Sequence, residues 1–149
     1  MEGSGTEPAA DTVGSVVRVV DGDTIDVEVA GTLERVRMLG IDTPEVAKPA
    51  TGQSAECHGD AASAYTASLL PPGTRVVLSR DIVGRDHYDR LLAYVHRFED
   101  GVFVNYELVR HGHAEVLHIE PNGTHRVLFA DAMTEARRSR VGMWFLCGG

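Results

Sequence analysis

The sequence predicts an α+β, mainly β domain: a closed five-stranded barrel carrying three helices. Three observations predict it. Five short apolar segments have strand character, and each is bounded by turn residues. Three further stretches have helical spacing and stop at glycine or proline. Finally, 149 residues with 43% apolar content suffice for one core, and five strands left as an open sheet would expose unpaired edges.

Residues 1–12, MEGSGTEPAADT, are small, polar and acidic, and read as a flexible leader ahead of a domain over 13–149. From Val13 the pattern becomes β, with Val16, Val17, Val19 and Val20 forming the first strand. Ile25, Val27 and Val29 alternate with Asp26 and Glu28, the period of a half-buried second strand. Gly31-Thr32 turns the chain into a third strand from Leu33 to Ile41. Residues 54–70 form a helix with Ala61, Ala64, Tyr65 and Leu69 inward, stopped by Pro71-Pro72-Gly73. Strands follow at 74–82 and 90–98, flanking the polar loop Gly84–Asp89. Asn105 is placed to cap a short helix ending at Gly112. Thr124 is placed to cap a last helix to Val141, with Leu128, Ala132 and Ala136 inward. A helix between strands three and four is what an OB-type barrel carries.

No apolar run approaches the ~20 residues that span a bilayer. Two cysteines, Cys57 and Cys147, cannot build a disulfide-dense scaffold; they form either one disulfide or two thiols. The net charge of −8 argues against a protein that coats nucleic acid non-specifically. The charge is uneven, however: residues 1–30 carry −6 and residues 75–97 carry +2. Lys48 is the only lysine among fourteen basic residues. Arginine grips phosphate bidentately, although a skewed genome composition produces the same bias.

Two acidic loops carry the chemistry: Asp21-Gly22-Asp23-Thr24 between strands one and two, and Asp42-Thr43-Pro44-Glu45 after strand three. Asp-Gly alone is a common turn. Gathered carboxylates repel one another and call for a cation, and oxygen ligands suit hard Ca²⁺ or Mg²⁺. An EF-hand is excluded, because counting from Asp21 position six is Asp26 and position twelve is Thr32. Arg37 alternates with Val36 and Met38 and so should face water or a site. Arg90 opens a strand directly after His87-Tyr88-Asp89. Two arginines, several carboxylates and a hard metal are what phosphodiester hydrolysis requires.

The strings VVDGDTIDV, RMLGIDTPE, YDRLLAYV, NYELVRHGHA and PNGTH, in that order, resemble the staphylococcal-nuclease (thermonuclease) family over residues 14–145. The resemblance implies an OB-fold barrel with three helices and a calcium-dependent, sugar-nonspecific nuclease acting on DNA and RNA. It implies that Asp23, Asp42 and the Thr43 carbonyl hold Ca²⁺, with Asp21 beside them. Glu45 would orient or deprotonate the attacking water, and Arg37 and Arg90 would hold the scissile phosphate. Tyr88 would hold a neighbouring phosphate, and products would carry 3′-phosphate. Such an enzyme endangers its producer and needs external calcium, so a secreted or extracytoplasmic monomer is expected.

Departures from the family pattern bear on binding. The tyrosines that grip the base in relatives precede the Pro-Asn turn, and the positions assigned to them here are His118 and Glu120. His87 stands where a basic residue usually precedes Tyr88. Weaker substrate binding and a higher KM are therefore expected. The alternative function is a non-catalytic module of the same barrel that binds nucleic acid or a protein; a calcium-stabilised structural domain is a third reading. Cys57-His58 and His111-Gly112-His113 fit no standard zinc spacing.

Overall fold

The computed structural model describes residues 11–147. Ten residues of the expected leader lie outside that range, and Thr12 already begins the first strand. Strands β1 (Thr12–Asp21), β2 (Thr24–Val29), β3 (Thr32–Met38), β5 (Arg75–Ser79) and β6 (Leu91–Arg97) close a barrel in the order β1-β2-β3-β6-β5. All its pairings are antiparallel except β3 with β6, which run parallel. Three helices pack on it: α1 (Gly59–Leu69), α2 (Val104–Arg110) and α3 (Arg126–Ser139). A single turn, α4 (Met143–Leu146), follows. The expected fold class holds.

The third strand differs from expectation in length. It ends at Met38, and Ile41–Asp42 forms a separate short strand, β4, paired with β7 (Glu115–Val116). Gly40 makes the break, with φ +80°, and a Cβ there would lie 2.6 Å from the Phe129 ring. Glycine is thus required twice, for the left-handed turn and for the close approach of α3. The break swings Asp42 out of the barrel wall toward the β1–β2 turn.

The barrel interior holds Val16, Ile25, Val27, Val36, Met38, Val76 and Val95, all almost fully buried. Each such side chain contributes about 1.5–3 kcal/mol by leaving water. α3 inserts Phe129, Ala132 and Ala136, whereas Leu128, expected inward, is exposed. In α1 the inward residues are Ala62 and Thr66, with Tyr65 and Leu69 half-buried and Ala61 and Ala64 facing solvent. Thr66 explains the rotation: its buried hydroxyl donates to the Gly22 carbonyl at 2.7 Å, tying α1 to the β1–β2 turn. An apolar pattern cannot announce a polar anchor.

Neither expected cap caps. Asn105 lies inside α2, fully buried, where its Oδ1 accepts from the Val95 N–H and its Nδ2 donates to the Leu39 carbonyl. It stitches α2 to β6 and to the end of β3. Thr124 precedes α3, and its N–H donates to Asp81 at 3.0 Å.

Cys57 and Cys147 are joined in a disulfide across 90 residues. Closing so long a loop removes about 4–5 kcal/mol of entropy from the unfolded chain in the chain-entropy account. Beside it, His58 Nε2 lies 2.8 Å from His113 Nδ1, and Tyr65 stacks on His113 with ring centroids 4.2 Å apart. The two imidazoles thus pair with each other, with Tyr65 as their neighbour. Burial, with His58 and His111 nearby, pushes the His113 imidazole down from its ordinary 6.5 to about 4. A base whose folded value is depressed supports the fold above its unfolded value, and that support is lost as pH falls through the folded one. Thermal stability is therefore expected to decline between pH 6.5 and about 4, and His113→Gln should flatten that decline in a melting series.

Candidate active site

Two tight turns and one loop meet at one end of the barrel. Gly22, in the turn between β1 and β2, has no room for a side chain, because a Cβ would lie 2.7 Å from Thr43 Oγ1. This close seat brings the second acidic loop onto the first. The Thr43 N–H donates to Asp23 Oδ2 at 3.0 Å, and the Thr24 hydroxyl donates to Asp23 Oδ1 at 2.9 Å. Asp21 accepts from the Gly22 N–H at 2.9 Å.

Arg37 is fixed from both sides. Its Nη1 donates to the carbonyls of Met38 and Ile41, at 2.6 and 2.9 Å, across the Gly40 turn. Its Nη2 then stands 3.4 Å from Asp23 and 3.3 Å from Asp42. Arg90 reaches the same place from the other half of the chain, because β3 pairs in parallel with β6 and Arg37 is the partner of Leu92. Asp86 aims it, accepting from the Arg90 backbone N–H at 2.9 Å and from Nε at 2.8 Å, and also from the Tyr88 N–H. Burial would raise the Asp86 carboxyl, but these hydrogen bonds hold it below its usual range. The Arg90 guanidinium lies 5.3 Å from the Tyr88 ring centroid.

A cleft of about 510 Å³ is lined by Asp21, Asp23, Asp42, Glu45, Arg37, Arg90 and Tyr88, with Lys48 and Arg35 at its walls. The predicted carboxylates and arginines therefore share one cavity. Thr43 does not line it; it is buried beneath, and its Oγ1 has no hydrogen-bond partner. A second cleft of about 420 Å³ shares Arg37, Tyr88 and Arg90 with the first and continues over His87, Leu117 and Ile119.

His118 is elsewhere. It lines a small separate cavity with Gly40, Tyr94 and Phe129, and pairs with Glu120 at 3.0 Å. The reason is strand parity. Past β7 the extended chain points Val116 and His118 one way and Leu117 and Ile119 the other, so the aliphatic pair faces the cleft. His118 is thereby turned away from the cleft, and Leu117 and Ile119 form its wall instead.

Lys48, Asp86 and Gly22 were not singled out for these roles in the sequence. Lys48 Nζ lies 2.6 Å from Glu45 and 3.9 Å from Asp21. Its standing as the sole lysine, three residues from Glu45, was the available signal. Asp86 was legible as an acid four residues before Arg90.

The oxygen donors are of the type that suits a hard divalent cation, although among the described residues no three carboxylates are gathered closely enough to form a metal group. Four carboxylates face one cavity, and among the described residues Lys48 and Arg37 offset them at short range. Asp21 is pushed up to about 6, by burial first and then by Asp23 and Glu45 against the Gly22 hydrogen bond. Asp42 is raised likewise, by burial and by Asp23. Carboxyls that resist ionising beside one another gain from a cation with oxygen affinity.

The pattern described as staphylococcal nuclease homologue matches residues 35–145. The chain belongs to the staphylococcal nuclease family. It is 40% identical over 129 residues to the thermonuclease of Staphylococcus intermedius, covering 87% of this chain and 74% of that one. The thermonuclease of Staphylococcus hyicus is 32% identical over 144 residues, covering 97% and 82%. The SPbeta prophage-derived endonuclease YokF of Bacillus subtilis is 37% identical over 128 residues, or 85% of this chain and 42% of that longer one. The family's closed barrel with three helices is the fold seen here. No helix among the described residues is long and apolar enough to cross a membrane.

Proposed function

We propose that this member of the staphylococcal nuclease family is a Ca²⁺-dependent, sugar-nonspecific nuclease that hydrolyses phosphodiester bonds of DNA and RNA and leaves 3′-phosphorylated ends. The observation that carries the reading is the shared cleft, where guanidinium groups from two distant segments face four carboxylates. Its relatives named thermonuclease and endonuclease support phosphodiester hydrolysis.

The position of each residue supports the role proposed for it. Asp23, Asp42 and the Thr43 carbonyl would hold the cation, with Asp21 adding charge beside them. A bound cation supplies positive charge that polarises a phosphate oxygen. Arg37 now spends one amino group on Asp23 and Asp42; once their charge is taken up, that group is free for phosphate. Arg37 and Arg90 then hold the non-bridging oxygens and take up charge as it grows on phosphorus. Glu45 accepts the proton of the attacking water, and Arg90 stands beside the leaving oxygen. Tyr88 and His87 contact the adjoining nucleotide. Leu117 and Ile119 offer the base apolar contact without an aromatic face, and stacking on an aromatic is worth about 1–3 kcal/mol. That difference is the source of the higher KM proposed here.

The disulfide suits an oxidising compartment, and calcium is plentiful outside cells, so the enzyme acts as a secreted or extracytoplasmic monomer. The test is digestion of plasmid DNA and of RNA with calcium, followed by end-group analysis. Both are expected to be cut to 3′-phosphorylated fragments. No cleavage of either, or 5′-phosphate ends, would overturn the reading.

A further inference from the structure

We propose that Glu56 is a positioning residue for Glu45, anchored by the Cys57–Cys147 disulfide. The proposal rests on the reading of Glu45 as the carboxylate that works on water.

Glu45 and Glu56 form a reciprocal backbone clamp. The Glu45 N–H donates to Glu56 Oε1 at 2.8 Å, and the Glu56 N–H donates to the Glu45 carbonyl at 2.9 Å. Gly59 closes the same place, since a Cβ on it would collide with the Glu45 carbonyl. Both polar groups of the Glu45 backbone are thus committed to a residue eleven positions away. The intervening loop reaches Glu45 through one side chain, Lys48, whose Nζ donates to Glu45 Oε1 at 2.6 Å. Residues 47–57 are all exposed, and the internal bonds of the loop join Lys48, Pro49, Thr51, Gly52 and Gln53 to one another. An exposed segment of this kind leaves the Glu45 backbone without the fixed support that catalysis needs, and Glu56 supplies it.

The clamp itself requires an anchor, and the next residue supplies it. Cys57 is bonded to Cys147, whose N–H donates to the Met143 carbonyl at 2.9 Å. Met143 is buried, and its own N–H donates to the Gly112 carbonyl at 2.9 Å. Glu56 is therefore tied through one covalent bond to the helical side of the core. A cleft of about 330 Å³ runs between Pro44, Glu56, Trp144 and the two cysteines, so the disulfide is open to reagents from solvent. A dithiol reductant converts the disulfide to two thiols and itself becomes a cyclic disulfide, passing two electrons and two protons to the cysteine sulfurs. Turnover then falls because Glu45 loses its fixed seat, while the phosphate-binding arginines stay where they are.

The experiment measures kcat and KM with DNA and calcium for Glu56→Ala, Glu56→Gln, Glu45→Gln and dithiol-reduced wild type, at a temperature where circular dichroism shows each folded. Glu56→Ala should lower kcat about tenfold to a hundredfold, with KM within about twofold. Glu56→Gln should restore most of the loss, because its amide oxygen still accepts the Glu45 N–H. Reduction should lower kcat in wild type and add little in Glu56→Ala. An unimpaired Glu56→Ala beside an inactive Glu45→Gln would overturn the positioning role alone. Glu56→Gln as slow as Glu56→Ala, or reduction without effect on kcat, would overturn it too. A fully active Glu45→Gln would overturn the catalytic reading and the proposal with it.

Discussion

Arg37→Ala is expected to lower kcat by about a thousandfold or more, with a melting curve that still shows a folded barrel. The size of the effect comes from preorganisation. The inner amino group is already spent on the Met38 and Ile41 carbonyls, so the outer one is aimed before substrate arrives. No reorganisation is needed as charge develops on phosphorus, and an interaction that strengthens on the way to the transition state appears in kcat. Lysine should not rescue the loss, because one ammonium cannot hold two carbonyls and also reach the cleft. Arg90→Ala should show the same direction, and Asp86→Ala a smaller loss, since Asp86 only aims the guanidinium. Steady-state kinetics with DNA checks all three; an Arg37→Ala enzyme with wild-type kcat would remove it from the chemistry.

Chelation of calcium is expected to abolish turnover, a fall of at least about a thousandfold, or ~4 kcal/mol of barrier. Without a cation, the substrate phosphate meets Asp21, Asp23, Asp42 and Glu45, countered at short range by Lys48 and Arg37. Both cationic side chains are then occupied by protein carboxylates. In this reading a bound cation would offset the repulsion, and Arg37 would then be free to turn its outer amino group to phosphate. Polynucleotide affinity should fall on chelation together with kcat. Readdition of calcium should restore both, and cleavage that continues undiminished in chelator would exclude a metal-dependent site.

The barrel was legible because its signals are periodic. Ile25, Val27 and Val29 alternate, Pro71-Pro72-Gly73 stops a helix, and five strands need closure. What was missed is polar and long-range. Thr66 sets the rotation of α1 through one hydroxyl on the Gly22 carbonyl, and Asn105 is a buried stitch where local rules suggest a cap. The break at Gly40 depends on Phe129, 89 residues away, which no local window contains. In the site, the charged residues stood out because Arg37, Asp23 and Asp42 interrupt or follow apolar strands. Their supports, Asp86 and Lys48, were visible only as composition. Leu117 and Ile119 look like ordinary core residues until the parity of the chain after β7 is known.

The parallel rung between β3 and β6 has a consequence for synthesis. All four carboxylates and Arg37 lie in the first 45 residues, but Arg90, just ahead of β6, and the strand that sets it beside them come only from residue 90 onward. The plug that holds the Gly40 bend, Phe129, emerges later still. A half-made chain thus carries most of the reactive groups without their arrangement. The cleft is therefore completed only after Phe129 has joined the chain, long after its carboxylates have been made.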